Sequence, residues 1–189
     1  MHHYTRDFVL SGVFLFSIYG ITHNPIVRPI PEPETGNWSI QFMQHPLLFG
    51  FAGHNYLALR DGTGKIVSEL HGLATDPVTG GWKYIGSNRT DILQVWEFDS
   101  GRYYFAEKSF PGIILAQGDE ETITSLWKKG EDCKDPINAK KIPYPPYGIS
   151  IRNETTNSNS VAYTLSKCMG LDARHIGIWT PGSTMDLLK

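Results

Sequence analysis

The sequence has little cysteine and no hydrophobic run long enough to cross a membrane comfortably. Only Cys133 and Cys168 occur among the 189 residues; their spacing does not fit a zinc site and leaves open whether they form a disulfide. The apolar run over residues 8–21 is shorter than the ~20 residues of a membrane-spanning helix. Basic clusters are also missing, the longest being Lys140-Lys141. We therefore expect no nucleic-acid partner.

The residues that are present indicate one folded domain. Hydrophobic residues make up 40% and aromatic residues 12% of the chain, which argues against disorder. The apolar run 8–21 is either a signal or membrane-anchor segment or a buried element, and the four prolines between residues 25 and 33 predict an extended connector. We therefore divide the chain into an N-terminal segment with its connector, residues 1–36, and a single domain, residues 37–189.

The pattern beyond the connector is mainly that of β-strands followed by helices. Branched and aromatic residues bounded by Gly, Asp and Asn predict strands over 38–43, 54–60, 65–71, 92–98 and 102–107. A helix is expected over 118–132 with Asp119 as its cap, and a second helix begins near residue 158. The sequence therefore predicts an α+β fold, an antiparallel β-sheet with helices packed on it.

One predicted hairpin gathers ionisable side chains. A two-residue turn within residues 61–64 would place His54 opposite His71 and Tyr56 opposite Glu69, all on one face. Two histidines and a carboxylate then converge at the open end of the hairpin. A shift of one residue would separate them, because alternate side chains point to opposite faces.

The second helix begins with an unusually polar stretch, residues 157–160, which reads Asn-Ser-Asn-Ser. An apolar stripe from Val161 to Met169 should face the core, with Cys168 as a packed thiol and Gly170 as the stop signal. Ser158 precedes this stripe by one turn and should also face the sheet. The hydroxyl is either a plain helix cap or a nucleophile, since a helix N-terminus stabilises a developing anion.

The hairpin "GHNYLALRDGTGKIVSELHG" and the helix start "TNSNSVAYTL" carry a family resemblance. Together they resemble the circularly permuted papain-like hydrolases, which include NlpC/P60-type and lecithin retinol acyltransferase-like enzymes. The similarity spans roughly residues 38–170 and implies a permuted papain-like (NlpC/P60-like) α+β fold. In that group a strand histidine precedes a second polar residue on the neighbouring strand, and a nucleophilic cysteine begins a later helix.

Carried over by position, the resemblance implies a catalytic set. His54 would be the general base, Glu69 or His71 would orient it, and Ser158 would stand where the family has cysteine. Three explanations fit the serine: a natural serine nucleophile, a cysteine replaced to trap an inactive form, or a branch that has lost its chemistry. The resemblance also implies oxyanion or substrate-binding roles for Asn157, Asn159 and Tyr56.

The resemblance favours a hydrolase that cleaves amide bonds, with bacterial peptidoglycan as the first substrate. Such a protein would be a toxic effector secreted or delivered to the periplasm, with an immunity or delivery protein as partner. A lipid acyltransferase or esterase, held at a membrane through residues 8–21, and a non-catalytic binding module are the alternatives. We expect no cofactor. A metal site built from His54, His71 and Glu69 is possible by residue type, but one hairpin makes a poor cage.

Overall fold

The computed structural model describes residues 34–47, 52–83, 85–99, 110–149, 155–173, 176 and 179–189. Within these ranges the α+β class is confirmed, since six strands form an antiparallel sheet that three α-helices accompany. The strands are β1 (Trp38–Leu47), β2 (Ala52–Arg60), β3 (Ile66–Thr75), β4 (Trp82–Lys83), β5 (Ile92–Asp99) and β6 (Gly112–Gly118). The helices are α1 (Glu120–Asp132), α2 (Lys134–Ala139) and α3 (Ser158–Cys168), and a 3₁₀ turn lies at Pro146–Gly148.

The sheet opens between β2 and β3. Its strand order is β4-β3-β2-β1-β6, and β5 pairs with β3 along Ser68–Thr75. Since β5 occupies one edge of β3, β2 and β4 must share the other edge. The pairing of β2 with β3 extends to Leu57 and Leu70, whereas β2 continues beside β1 as far as Ala52. The two strands therefore diverge, and we call the opening beyond Leu57 and Leu70 the β2–β3 split.

The helices cover one face of the sheet, which we call the helix face. Leu70 and Ala74 of β3 share a buried cluster with Val161 and Leu165 of α3. Because side chains alternate along a strand, Gly72 also projects to the helix face, and its neighbour His71 projects to the opposite face. Burial of each large apolar side chain in this cluster stabilises the fold by about 1.5–3 kcal/mol. Other members of the cluster are Ile40, Phe42, Leu57, Val95, Ile123, Trp127 and Ile137.

Four of the five predicted strands are confirmed, as β1, β2, β3 and β5, and so are both helices with the Asp119 cap. The fifth predicted strand, 102–107, lies outside the described residues, as do the apolar run 8–21 and most of the connector. Two strands, β4 and β6, and helix α2 were not predicted. In the described part of the chain, no helix is both long and apolar enough to span a bilayer.

The predicted register of the β2–β3 hairpin is wrong by two residues, since Leu57 pairs with Leu70 and not with Ser68. The turn contains three residues: Asp61 N–H donates to Lys65 O, and Gly64 closes the turn with φ +82. A bulge beside Leu59 adds the second residue of the shift. A two-residue shift keeps every side chain on its predicted face, so the histidines still share one face.

A disulfide joins Cys133 to Cys168 and therefore corrects the prediction that Cys168 is a packed thiol. Cys133 lies at the junction of α1 and α2, and Cys168 is the last residue of α3. The bond fastens the C-terminal end of α3 to the other two helices. Disulfides of this kind persist in oxidising compartments.

Candidate functional site

Three ionisable side chains form a continuous hydrogen-bonded chain at the β2–β3 split. His54 Nε2 lies 3.0 Å from His71 Nδ1, and His71 Nε2 lies 3.0 Å from Glu69 Oε2. The exposed fraction is 2% for His54 and 0% for both His71 and Glu69. We call these three residues the histidine relay. The structure therefore brings together three of the predicted site residues.

Strand geometry explains how the relay forms despite the changed register. Tyr56 and His71 rings stack with centroids 4.5 Å apart, so Tyr56 occupies the place opposite His71 that the sequence assigned to His54. His54 reaches His71 diagonally, with ring centroids 5.3 Å apart. Diagonal neighbours on adjacent strands lie within the reach of aromatic side chains. Tyr56 thus packs within the relay, on the face opposite the helices.

Burial decides the charge state of the relay. It lowers the pKa of His54 well below the ordinary value of 6.5, and the neighbouring His71 adds to this effect. Burial also lowers the pKa of His71 to about 3, with a smaller contribution from His45. Although the Glu69 carboxyl lies 3.0 Å from His71, the cost of charging an imidazole away from water is the larger effect. Both rings are therefore neutral at physiological pH.

One proton arrangement satisfies the whole relay when Glu69 is ionised. His71 Nε2–H donates to Glu69, and His71 Nδ1 accepts a proton from His54 Nε2–H. The basic lone pair of His54 then lies on Nδ1. This is the order of carboxylate, orienting group and base that general-base catalysis uses.

The polar start of α3 is primarily a helix cap. Asn157 is the cap residue, since its side-chain oxygen accepts from Asn159 N–H at 2.9 Å. Ser160 completes a capping box by accepting from Asn157 N–H at 3.2 Å. Ser158 is the first helical residue and has only 6% of its surface exposed. The cap is therefore Asn157, and the Ser158 hydroxyl takes no part in it.

The described contacts of Ser158 are with Gly72 on the helix face and with Tyr144. A Cβ added to Gly72 would lie 2.8 Å from Ser158 Cα, which places Ser158 on the helix face. The relay lies on the opposite face of the sheet. A hydrogen bond with Ser158 influences the pKa of Tyr144, and His54 Nε2 lies 3.0 Å from His71 Nδ1. Burial raises the pKa of Tyr144 to about 12, an effect that this hydrogen bond partly offsets, so Tyr144 stays protonated.

The amides of Asn157 and Asn159 hold loops in place. Asn157 Nδ2 donates to Gly148 O at 2.8 Å and to Pro181 O at 3.0 Å, which uses both of its protons. Asn159 donates to Pro181 O at 3.1 Å, and its side-chain oxygen accepts from Asn55 N–H at 2.8 Å. These amides dock the helix start between β2 and two loops. Their oxyanion role stays a prediction that the observed contacts do not support.

Two further residues, Gly72 and Tyr144, lie beside Ser158. Neither Tyr144 nor Gly72 is among the predicted site residues. The signal for Gly72 is its place between His71 and the apolar Leu73 on a buried strand, where a glycine permits close approach of another backbone. Within the described residues, no group of three histidine, cysteine or acidic side chains is arranged to hold a metal ion.

Comparisons with protein-family models, with curated proteins and with solved structures find no match to this chain.

Proposed function

We propose that this chain is a papain-like domain that binds its ligand without cleaving it. The observation that supports this proposal is the contact of Ser158 with Gly72 on the helix face, which is opposite the face to which the relay projects. A serine hydroxyl has no accessible anion near neutral pH and becomes nucleophilic only through a paired base. On the face of the sheet opposite the relay, Ser158 is a packing residue of the helix start.

The ligand we infer is bacterial cell-wall peptide, the ligand that the papain-like resemblance implies. The disulfide between Cys133 and Cys168 supports a location in the periplasm or outside the cell, because such bonds persist in oxidising compartments. The docked start of α3 supports the papain-like comparison. It contacts Asn55 and Gly72, the sequence neighbours of the two relay histidines.

Sedimentation with purified peptidoglycan sacculi tests binding and cleavage in one experiment. The pellet is assayed for bound protein, and the supernatant is analysed by mass spectrometry for released fragments. We expect bound protein and no fragments, with Ser158→Ala binding as the wild type does. Failure to sediment with sacculi would refute the cell-wall ligand. Fragments released by the wild type, and lost in both Ser158→Ala and His54→Gln, would refute the non-catalytic reading.

An amide-bond hydrolase that acts on peptidoglycan as a delivered toxin is the second candidate. The histidine relay supports it, because a neutral histidine oriented by a second histidine and a carboxylate is equipped as a general base. This reading requires the Ser158 side chain to leave Tyr144 and turn toward the split. Tyr144→Phe removes the hydroxyl that interacts with Ser158. The hydrolase reading expects this variant to release more fragments, whereas the binding reading expects none.

A further inference from the structure

Two exposed aromatic rings flank the docked start of α3. Tyr147 has 77% and Trp179 has 57% of its surface exposed. Gly53 N–H donates to Trp179 O at 3.1 Å, which places Trp179 beside the residue that precedes His54. Tyr147 lies in the 3₁₀ turn that follows Tyr144, the partner of Ser158. Both rings therefore border the candidate site.

One side chain holds the two aromatic loops together. Asn157 Nδ2 donates to Gly148 O, next to Tyr147, and to Pro181 O, two residues after Trp179. Asn159 donates a further bond to Pro181 O. Because both loop carbonyls bond to the same nitrogen, the loops are neighbours. The exposed rings are thus carried on backbone that buried amides fix in place.

The backbone at Tyr147 is strained in a way that favours a function for its ring. Its φ of +59 is left-handed, a conformation that a residue with a large side chain rarely adopts. The turn is held by Tyr147 N–H to Gly86 O at 2.9 Å and by Gly148 N–H to Pro145 O at 2.8 Å. A buried tyrosine would offset such strain by packing, but this ring projects into solvent. Backbone strain that no side-chain packing offsets is typical of residues positioned for binding.

The two segments that carry the rings lack charge, which indicates the class of ligand. Residues 144–149, Tyr-Pro-Pro-Tyr-Gly-Ile, and residues 179–182, Trp-Thr-Pro-Gly, include no charged side chain. Rigid, uncharged Tyr and Trp rings offer large amphipathic contact faces at low entropic cost. Such faces suit a neutral ligand with flat apolar C–H faces and polar edges. We propose that Tyr147 and Trp179 form a saccharide-binding site that holds the glycan strand of a cell-wall polymer beside the β2–β3 split.

The choice of a bacterial glycan rests on the proposed function, and the experiment separates the two. Full-length protein is titrated calorimetrically with glycan strands freed of stem peptides, with the stem peptide alone, and with a proline-rich peptide. The variants are Trp179→Ala and Tyr147→Gly, the latter chosen because glycine accepts the left-handed backbone. Tyr147→Phe keeps the ring, and Trp82→Ala removes an aromatic that is 39% exposed on β4.

We expect the wild type to bind the bare glycan and each ring-removing variant to raise Kd by about tenfold. Tyr147→Phe and Trp82→Ala should bind as the wild type does. Binding to intact sacculi without binding to bare glycan would overturn the saccharide site and leave the proposed function standing; binding to neither would overturn both. If either peptide binds the wild type and the ring-removing variants weaken that binding, the surface is a peptide site and the glycan proposal is wrong.

Discussion

Gly72 and Ser158 lie so close that a Cβ on residue 72 would be 2.8 Å from the Ser158 Cα and 2.6 Å from the Val161 Cβ. Real Cβ atoms do not approach other atoms at such distances. The start of α3 therefore reaches the backbone of β3 only because residue 72 lacks a side chain. This contact fixes Ser158 on the helix face.

Gly72→Ala should destabilise the fold by about 1–3 kcal/mol, as overpacking of a well-filled core does. The added methyl group meets helix backbone, which has less room to move than a flexible side chain. Urea denaturation measures the free energy of unfolding. Gly81→Ala is the matched control, because its nearest contact would be Thr79 Oγ1 at 3.3 Å, and it should be nearly neutral. Equal stability of the two variants would show that α3 does not pack on residue 72.

The histidine relay predicts that stability falls as the solution becomes acidic. In the unfolded chain both imidazoles take up a proton near the ordinary pKa of 6.5, whereas burial lowers the folded pKa of His71 to about 3 and also lowers that of His54. Between these values the unfolded chain binds more protons. The stabilisation is complete above pH 6.5 and is lost toward pH 3, with a slope of up to about 1.4 kcal/mol per pH unit for each histidine.

Removing one imidazole isolates its share of this pH dependence. Urea denaturation of His71→Gln and the wild type at several pH values gives two curves, and their difference reports His71 together with its smaller effect on the pKa of His54. We expect the variant to be less stable near pH 7 and to lose less stability on acidification. Parallel curves would mean that His71 titrates alike in the folded and unfolded states.

The two roles of Asn157 can be separated by two substitutions. Asn157→Asp keeps the side-chain oxygen that caps α3 but removes the amide that donates to Gly148 and Pro181. Asn157→Ala removes both. The alanine variant should lose about 2–3 kcal/mol of unfolding free energy. The aspartate variant should lose at least as much although its cap remains, because a buried carboxylate oxygen then faces the two carbonyl oxygens. Cleavage of the loops by a protease should increase in both variants. Faster cleavage in the alanine variant alone would mean that the amide does not hold the loops.

Reduction of the disulfide should lower the melting temperature without abolishing the sheet. The bond between Cys133 and Cys168 closes a loop of 35 residues, and such cross-links typically stabilise by about 2–4 kcal/mol. Thermal melts followed by circular dichroism, with and without dithiothreitol, measure the change. The double substitution Cys133→Ala with Cys168→Ala should melt at the temperature of the reduced protein and should not respond to dithiothreitol. A reductant effect on that variant would show that the shift has another cause.

Local patterns in the sequence predict most of the elements, because alternation and capping are properties of neighbouring residues. Asp119 caps α1, and β1, β2, β3 and β5 follow branched and aromatic runs. The sequence also predicted that His54 and His71 share a face of the sheet. A register error of two residues leaves every side chain on its predicted face, whereas an error of one residue would not. The register itself depends on the three-residue turn and on a bulge, which short patterns do not specify.

The position of Ser158 relative to the relay could not be predicted from the sequence for a different reason. It depends on the divergence of β2 from β3, a tertiary feature with no local signal. The polar start of α3 reads equally well as a cap and as a nucleophile position, because both use the same residue types. The contacts of Ser158 with Gly72 and Tyr144 form only once the helix is docked, so no local pattern specifies them.

The decisive prediction concerns a thiol introduced by Ser158→Cys. It would be the only free thiol, because both native cysteines are in the disulfide. Its rate of alkylation by iodoacetamide across pH reports its pKa, since the thiolate is the reactive form. If position 158 pairs with His54, a second substitution, His54→Gln, should move the profile to higher pH by removing the partner of the thiolate. Because residue 158 and His54 project to opposite faces of the sheet, we expect the same profile with and without His54→Gln. A shift on His54→Gln would establish the pairing that the hydrolase reading requires and would refute the binding reading.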